Sequence, residues 1–118
     1  MQSIQEKMEE YGADYQGTMA RFMGNERLYL KVLGKLGDDD NAGKLQAAVA
    51  AGDLESAFNA AHTLKGVAAN LGLTPLLEAV NDIVEPLRRR EQRDDYHVLC
   101  DTVEKQFERV VQLVDTLK

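Results

Sequence analysis

The sequence predicts an all-α protein, an antiparallel four-helix bundle with short additional N-terminal helices. Apolar residues recur at helical spacing along the whole chain, and no segment alternates apolar and polar residues as a half-buried strand would. Capping and turn signals divide the chain into segments of helix length. The four longest segments should pack antiparallel around one core. They lie near 42–51, 53–71, 75–90 and 94–117.

Length and composition favour a single domain over residues 1–118, with a helical cover over about 1–36 and the bundle over about 42–117. The chain has 118 residues, of which 44% are hydrophobic, and it lacks an apolar run long enough to span a membrane. The formal net charge of -6 disfavours nucleic-acid binding, which needs clustered Lys and Arg. The single cysteine, Cys100, cannot form an internal disulfide, so we expect a cytoplasmic protein with Cys100 in its core.

N-cap residues mark the starts of the N-terminal helices. Ser3, with Glu6 three residues later, has the form of a capping box, and Asp14 and Asn25 are candidate N-caps of the next two helices. The third helix should run through Leu36. Its predicted apolar stripe is Leu28, Val32 and Leu36, joined by Tyr29 and Leu33. We expect these short helices to cover one end of the bundle.

The acidic loop at residues 37–41 suggests a calcium site. A helix–loop–helix calcium site needs oxygen ligands at alternating positions, a glycine at the sixth position and a glutamate at the twelfth. Counted from Asp38, the sixth residue is Gly43 but the twelfth is Val49. We therefore predict no metal site, and we expect the loop to end one helix and cap the next.

The segment from Asp53 to Gly72 has the signals of one amphipathic helix. Aspartate is a preferred N-cap, and glycine can adopt the left-handed conformation that closes a helix. Six apolar residues predict a core-facing stripe: Leu54, Ala57, Ala61, Leu64, Ala68 and Leu71. At roughly 100° per residue, His62 points roughly 140° away from the middle of that stripe and should face solvent.

The neighbours of His62 distinguish it from an isolated surface histidine. On the exposed face these neighbours are Phe58, Asn59, Lys65, Gly66 and Ala69. Gly66 and Ala69 leave the imidazole above a low patch that a second protein can approach. A mid-helix glycine costs about 1 kcal/mol relative to alanine, which suggests that space is needed there. Two alternatives stay open: an ordinary surface histidine, and a glycine that serves close helix packing.

A second helix start is predicted at Thr74 and Pro75, with threonine as N-cap and proline at the first helical position. Pro86 should kink this helix or end it about a turn before the arginine cluster at 88–90. The acidic residues that follow the cluster favour a solvated, mixed-charge connection over a phosphate or nucleic-acid site. They are Glu91, Asp94 and Asp95.

The last helix should begin near Asp94 or Asp95 and run close to Leu117. Its predicted apolar side is Val98, Cys100 or Asp101, Val103, Phe107, Val110, Val111 and Val114. His97 lacks the lysine and glycine companions of His62, so we interpret it as structural or incidental. The sequence has no glycine-rich nucleotide-binding motif, no His and Cys set at metal-ligand spacing and no convincing serine–histidine–acid set.

A specific motif runs through the histidine helix. It is His62-Thr63-Leu64-Lys65-Gly66, followed by Ala68-Ala69-Asn70-Leu71-Gly72-Leu73. The motif closely resembles the phosphoacceptor helix of histidine-containing phosphotransfer (HPt) domains in two-component phosphorelays. Upstream, Arg21-Phe22-Met23-Gly24-Asn25-Glu26-Arg27-Leu28-Tyr29 is similar to an early segment of the same family. The resemblance covers most of the chain, and it also implies a helical bundle.

The resemblance implies a phosphorelay intermediate without autonomous kinase activity. His62 would accept a phosphoryl group on Nε2 from the aspartyl phosphate of a receiver domain and pass it to a second receiver. Lys65 would stabilise the charge on the transferred oxygens, and Gly66 would give the receiver access. The residues expected to contact the partner are Phe58, Asn59, Ala69 and Asn70.

The implied partners are response-regulator receiver domains and a hybrid sensor histidine kinase. We expect no intrinsic cofactor, because Mg²⁺ would come from the receiver, and we expect a monomer. The start at Met1 favours a free-standing shuttle over a piece of a larger kinase.

Two other function classes are alternatives to the relay. One is an HPt-like bundle that only docks proteins. The other is a small hydrolase that uses His62 as a base, for which no nucleophilic partner is evident in the sequence.

Overall fold

The computed structural model describes residues 2–117, which form seven α-helices and one 3₁₀ turn, with no strand in that range. The helices are α1 (Ile4–Tyr11), α2 (Tyr15–Arg21), α3 (Glu26–Gly34), α4 (Asn41–Ala51), α5 (Leu54–Asn70), α6 (Thr74–Arg88) and α7 (Tyr96–Leu117), and the 3₁₀ turn is Lys35–Asp38. The predicted all-α class is therefore confirmed.

The four longest helices form the predicted antiparallel bundle. α5 packs between α4 and α6, and α7 packs against α6 and α4, which closes the ring. Two residues connect α4 to α5 and three connect α5 to α6, so successive helices reverse direction. None of the helices within residues 2–117 combines the length and apolar character needed to cross a membrane.

One hydrophobic core runs through the bundle and extends under the N-terminal helices. Of the six residues in the stripe predicted for the histidine helix, four in α5 and Leu71 just after it are buried, and Leu54 is partly buried against the core. Cys100 is also buried, as predicted, and burial raises the pKa of its thiol to about 11. The extent of the single domain, 1–118 with its division at 36 and 42, stays a prediction.

The N-terminal helices are tied to the connection between α5 and α6. The Tyr29 hydroxyl donates to the Leu71 carbonyl at 3.0 Å, and the Asp14 N–H donates to the Gly72 carbonyl at 2.9 Å. Gly72 has a φ of 68°, and a Cβ placed on it would lie 1.9 Å from the hydroxyl oxygen of the buried Thr18. A glycine is thus required where α2 meets the end of α5.

Four helix termini follow the predicted capping chemistry. Ser3 and Glu6 form a complete capping box, and the side chains of Asp14, Asn25 and Asp53 each accept a hydrogen bond from a backbone N–H of the helix that follows. Thr74 is not the N-cap of α6 as predicted. Leu73 takes that position without a side-chain bond, and Thr74 is the first helical residue. The buried Leu73 side chain belongs to the core, so packing rather than capping sets this start.

Pro86 does not end α6, which continues to Arg88. Proline has no N–H to donate to the carbonyl four residues earlier, so α6 continues through Pro86 without the helical bond to the Asp82 carbonyl. Two predicted stripe residues are also wrong: Leu28 is 44% exposed and Val98 is 53% exposed. The core-facing register of α3 instead runs through Tyr29, Leu33 and the following 3₁₀ turn. That of α7, which begins at Tyr96, runs through Tyr96, Cys100, Val103, Val110 and Val114.

Candidate functional site

Helix α5 places His62 on the outside of the bundle. Ala57, Ala61, Leu64 and Ala68 turn inward and are fully buried, and helical geometry then points His62 outward, where it is exposed. The start of the helix is held by Asp53, which accepts from the Ser56 N–H at 3.1 Å and the Ser56 hydroxyl at 2.7 Å. His62 is therefore displayed from a helix whose opposite face is fixed in the core.

The imidazole of His62 rests against a neighbouring aromatic ring. Phe58, one turn earlier, stacks on it with ring centroids 5.4 Å apart and an angle of 17° between the ring planes. Within residues 2–117, neither imidazole nitrogen has a hydrogen-bond partner in the protein. The ring is thus oriented by stacking while its nitrogens stay accessible to a second molecule.

The surface beyond His62 is low and carries one positive charge. Lys65 is half-buried and makes no ion pair among the residues that the structure describes. Gly66 is exposed, and a Cβ built on it would have no atom within 4 Å. Packing inside this chain therefore does not require a glycine at position 66, in contrast to Gly72. Of the two interpretations of Gly66, close helix packing within the chain is excluded.

The remaining predicted contact residues lie along the same exposed side of α5. Asn59 is exposed and its carbonyl accepts from the Thr63 hydroxyl at 3.0 Å. Ala69 and Asn70 are exposed at the last turn, where the Arg21 guanidinium donates to their carbonyls at 2.9 and 3.2 Å. All seven predicted site residues therefore lie on one helix and are exposed or half-buried, and α2 anchors its end.

Two arginines that the sequence did not place at the site lie against it. The guanidinium carbons of Arg88 and Arg90 are 5.3 and 5.0 Å from the centroid of the Phe58 ring, within cation–π range. Because α5 and α6 are antiparallel, the last turn of α6 returns beside the first turns of α5. The antiparallel order of α5 and α6 is the feature from which this contact could have been predicted, because the residue spacing within α6 alone does not indicate it.

The mixed-charge interpretation of this arginine segment holds for most of it. Arg88 pairs with Glu85 (N to O 3.6 Å), Arg89 with Glu91 (2.6 Å) and Arg93 with Asp95 (2.7 Å). Arg90 is different, because within residues 2–117 it has no carboxylate partner. It donates instead to the Leu87 carbonyl at 2.6 Å.

The structure gives no support to a metal site. Among residues 2–117, no group of three or more His, Cys, Asp or Glu side chains is arranged to hold a metal ion. In the acidic loop the Asp39 carboxylate accepts hydrogen bonds from the Asn41 backbone and side-chain N–H groups, at 2.8 and 2.9 Å, so it stabilises the start of α4.

The second histidine, His97, lies away from the helix face that carries His62. It is exposed on α7, beside an apolar groove of about 480 Å³ between α4 and α7.

In a comparison with protein families, the model of the Hpt domain matches residues 39–115. The matched region is well over half of the chain and includes the whole of α4, α5 and α6 and most of α7. Comparison with curated proteins and with solved structures gives no significant match. Hpt domains are helical bundles that act in histidine phosphotransfer as intermediates and not as kinases. The match and the bundle together show that this chain belongs to the Hpt domain family.

Proposed function

We propose that this protein relays a phosphoryl group between the aspartates of receiver domains, with His62 as the phosphorylated residue. The observation that carries the proposal is the exposed imidazole on a rigid helix, with the Lys65 ammonium one turn onward and open space above Gly66. The other histidine, His97, has neither of these companions.

The proposed transfer is a displacement at phosphorus. Histidine is largely neutral near pH 7, so a ring nitrogen with a free lone pair can attack. Nε2 of His62 forms a bond to phosphorus while the bond from phosphorus to the aspartyl oxygen breaks, and the electron pair leaves with the aspartate carboxylate. In the onward step a carboxylate of the second receiver attacks the same phosphorus, and the electron pair of the P–N bond returns to Nε2.

The other site residues position and neutralise rather than react. Phosphoryl transfer depends mainly on positioning and on stabilising the charge of the transferred oxygens. Phe58 holds the imidazole plane by stacking, and Lys65 supplies a positive charge without a competing ion pair. Gly66 and Ala69 let the active site of the receiver reach Nε2, with Asn59 and Asn70 at the edge of the contact. The receiver would supply Mg²⁺, which neutralises charge on the phosphoryl oxygens.

The proposed partners are response-regulator receivers and a hybrid sensor kinase that phosphorylates one of them. Phosphohistidine and aspartyl phosphate are both energy-rich, so transfer in either direction needs no further fuel. The sequence has no glycine-rich nucleotide-binding motif, consistent with an intermediate that obtains its phosphate from a partner.

The test is transfer of labelled phosphate from phosphorylated receivers to the purified protein. We expect acid-labile, alkali-stable label on the wild type and on His97→Gln, and none on His62→Gln, with all three equally folded by circular dichroism. Label on His62→Gln at the level of the wild type would refute the assignment. A wild type that binds receivers but takes no label would instead indicate a docking module.

A further inference from the structure

The end of α6 brings a second group of positive charges to the face of His62. Phe58 is stacked on the imidazole, and the guanidinium carbons of Arg88 and Arg90 lie 5.3 and 5.0 Å from the same phenyl ring. Their electrostatic influence on a partner at His62 is strongest at low ionic strength, where the Debye length exceeds the value of about 8 Å at physiological ionic strength. The stacked Phe58 thus links both arginines to the face on which a partner would reach His62.

Of the three arginines at the end of α6, Arg90 is the one without an ion pair among residues 2–117. Arg88 faces Glu85 and Arg89 faces Glu91, whereas Arg90 has no carboxylate partner among residues 2–117. The protein as a whole has a net charge of -6. A guanidinium without an ion pair on an acidic protein, in contact with the ring that stacks on His62, makes this face suited to an anionic surface.

The backbone at Arg90 is held in an unusual conformation. Its φ is 52°, in the left-handed region, and it follows the last residues of α6. The Arg90 N–H donates to the Leu87 carbonyl and the Glu91 N–H to the Pro86 carbonyl, each at 3.0 Å, the pattern of a helix end that normally carries glycine. An arginine here costs conformational energy that glycine would not. The backbone of this helix end thus does not require an arginine, whose side chain donates to the Leu87 carbonyl and lies over the Phe58 ring.

We propose that Arg90, supported by Arg88, is an electrostatic docking clamp for the acidic face of the receiver domain that exchanges phosphate with His62. The inference rests on the proposed relay function. A receiver that presents a phosphorylated aspartate to His62 carries negative charge at the point of contact, and the planar guanidinium is suited to bidentate pairing with carboxylates. The clamp binds the partner, whereas Lys65, on the helix of His62 itself, acts on the phosphoryl group.

The key variant is Arg90→Gly, because glycine suits the left-handed position and the helix end should keep its stability. Arg89→Gln is the matched control, since it removes the same charge from the neighbouring residue, which already has an ion pair with Glu91. Arg90→Lys retains the charge but loses the planar group. Binding of a phosphorylated receiver is measured by stopped-flow on a His62→Gln background, which cannot accept phosphate.

For Arg90→Gly we expect the association rate constant to be about tenfold lower than that of its parent at low salt. The difference between the two rate constants should become smaller as ionic strength rises. Arg89→Gln should stay within about twofold of its parent, and Arg90→Lys should recover part of the loss. In the wild-type His62 background, the single-turnover transfer rate at saturating receiver should change less than about twofold for Arg90→Gly. Thermal unfolding of each variant checks that the fold is kept.

Equal effects of Arg90→Gly and Arg89→Gln would overturn the clamp, because the effect would then come from net charge alone. A slower transfer at saturating receiver with unchanged binding would overturn it too, and would place Arg90 at the phosphoryl group. These outcomes differ from failure of the relay itself, in which a protein with His62 binds the receiver but takes no label.

Discussion

The two faces of α5 divide stability from chemistry on a single helix. The inner face is made of small and medium apolar side chains, Ala57, Ala61, Leu64 and Ala68, all fully buried. The outer face carries His62 with Phe58, Lys65 and Gly66, where side chains are exposed or half-buried. The inner face fixes the position of the helix, and that rigidity orients the outer face for a partner.

Because the two faces have separate roles, a substitution on one face should leave the property of the other nearly intact. A partner-dependent transfer site needs a preorganised surface but no cavity of its own, because the partner supplies the rest of the active site. The inner stripe can therefore be optimised for packing alone.

Leu64→Ala should cause the largest loss of stability. Leu64 is fully buried in the middle of the inner stripe, and removing a buried leucine side chain leaves a cavity that costs about 2–5 kcal/mol. The free energy of unfolding is measured by urea denaturation. Leu28→Ala, at a 44% exposed leucine, is the matched control and should stay within about 0.5 kcal/mol of the wild type. Below the unfolding transition, Leu64→Ala should still accept phosphate, and loss of transfer by a folded variant would contradict the separation.

Lys65→Ala should have the converse effect, slowing transfer without loss of stability. Its ammonium makes no ion pair within residues 2–117, so the fold gains little from it, while removal of one charge-stabilising group lowers a reaction rate by about 100- to 1,000-fold. Single-turnover kinetics at saturating receiver measure the effect. Lys105→Ala, on the exposed side of α7, is the control that should leave the rate unchanged. An unchanged rate in Lys65→Ala would remove the proposed role.

Gly66→Ala should improve the fold and impair the function. A Cβ at Gly66 meets no atom within 4 Å, so alanine fits and should stabilise the helix by about 1 kcal/mol. The added methyl group lies where the receiver must approach, and we expect the affinity of the receiver for the variant to fall several-fold. Gly43→Ala in α4, which also has open space around it, controls for a general glycine effect and should not alter transfer. A receiver that binds Gly66→Ala as tightly as the wild type would show that the space is not used.

Local chemistry along the chain was enough to predict the bundle and the His62 face. The N-caps Asp53 and Asn25 and the closing Gly72 act through bonds to residues a few positions away, which is the range over which spacing is informative. The exposure of His62 followed from the same arithmetic. Spacing alone does not choose the buried stripe where a helix has more apolar residues than one face needs, and this is why the inward prediction for Leu28 and Val98 is wrong.

The approach of Arg88 and Arg90 to Phe58 could not be predicted from such local rules. Their contact depends on where α6 ends relative to the start of α5, and that depends on packing along the whole length of both helices. Pro86 suggested an earlier end, which would have moved both arginines. The functional surface is thus partly encoded in one helix and partly in the register of two, and only the first part is visible as a motif.

The smallest expected effect concerns the N-cap that supports both faces of α5. Hydrogen bonds from the Ser56 hydroxyl and the Ser56 N–H hold the pKa of Asp53 below its ordinary value of 3.8. Since the unfolded chain binds the proton more readily, the contribution of this carboxylate to stability is present above that value and is lost as the pH falls through the lowered pKa. Asp53→Asn keeps an oxygen acceptor but cannot titrate, so the decline of its unfolding free energy between pH 5 and 2 should be shallower than that of the wild type. Urea denaturation across this pH range measures the slope. Parallel declines in the two proteins would mean that the Asp53 charge does not help to hold the start of the histidine helix.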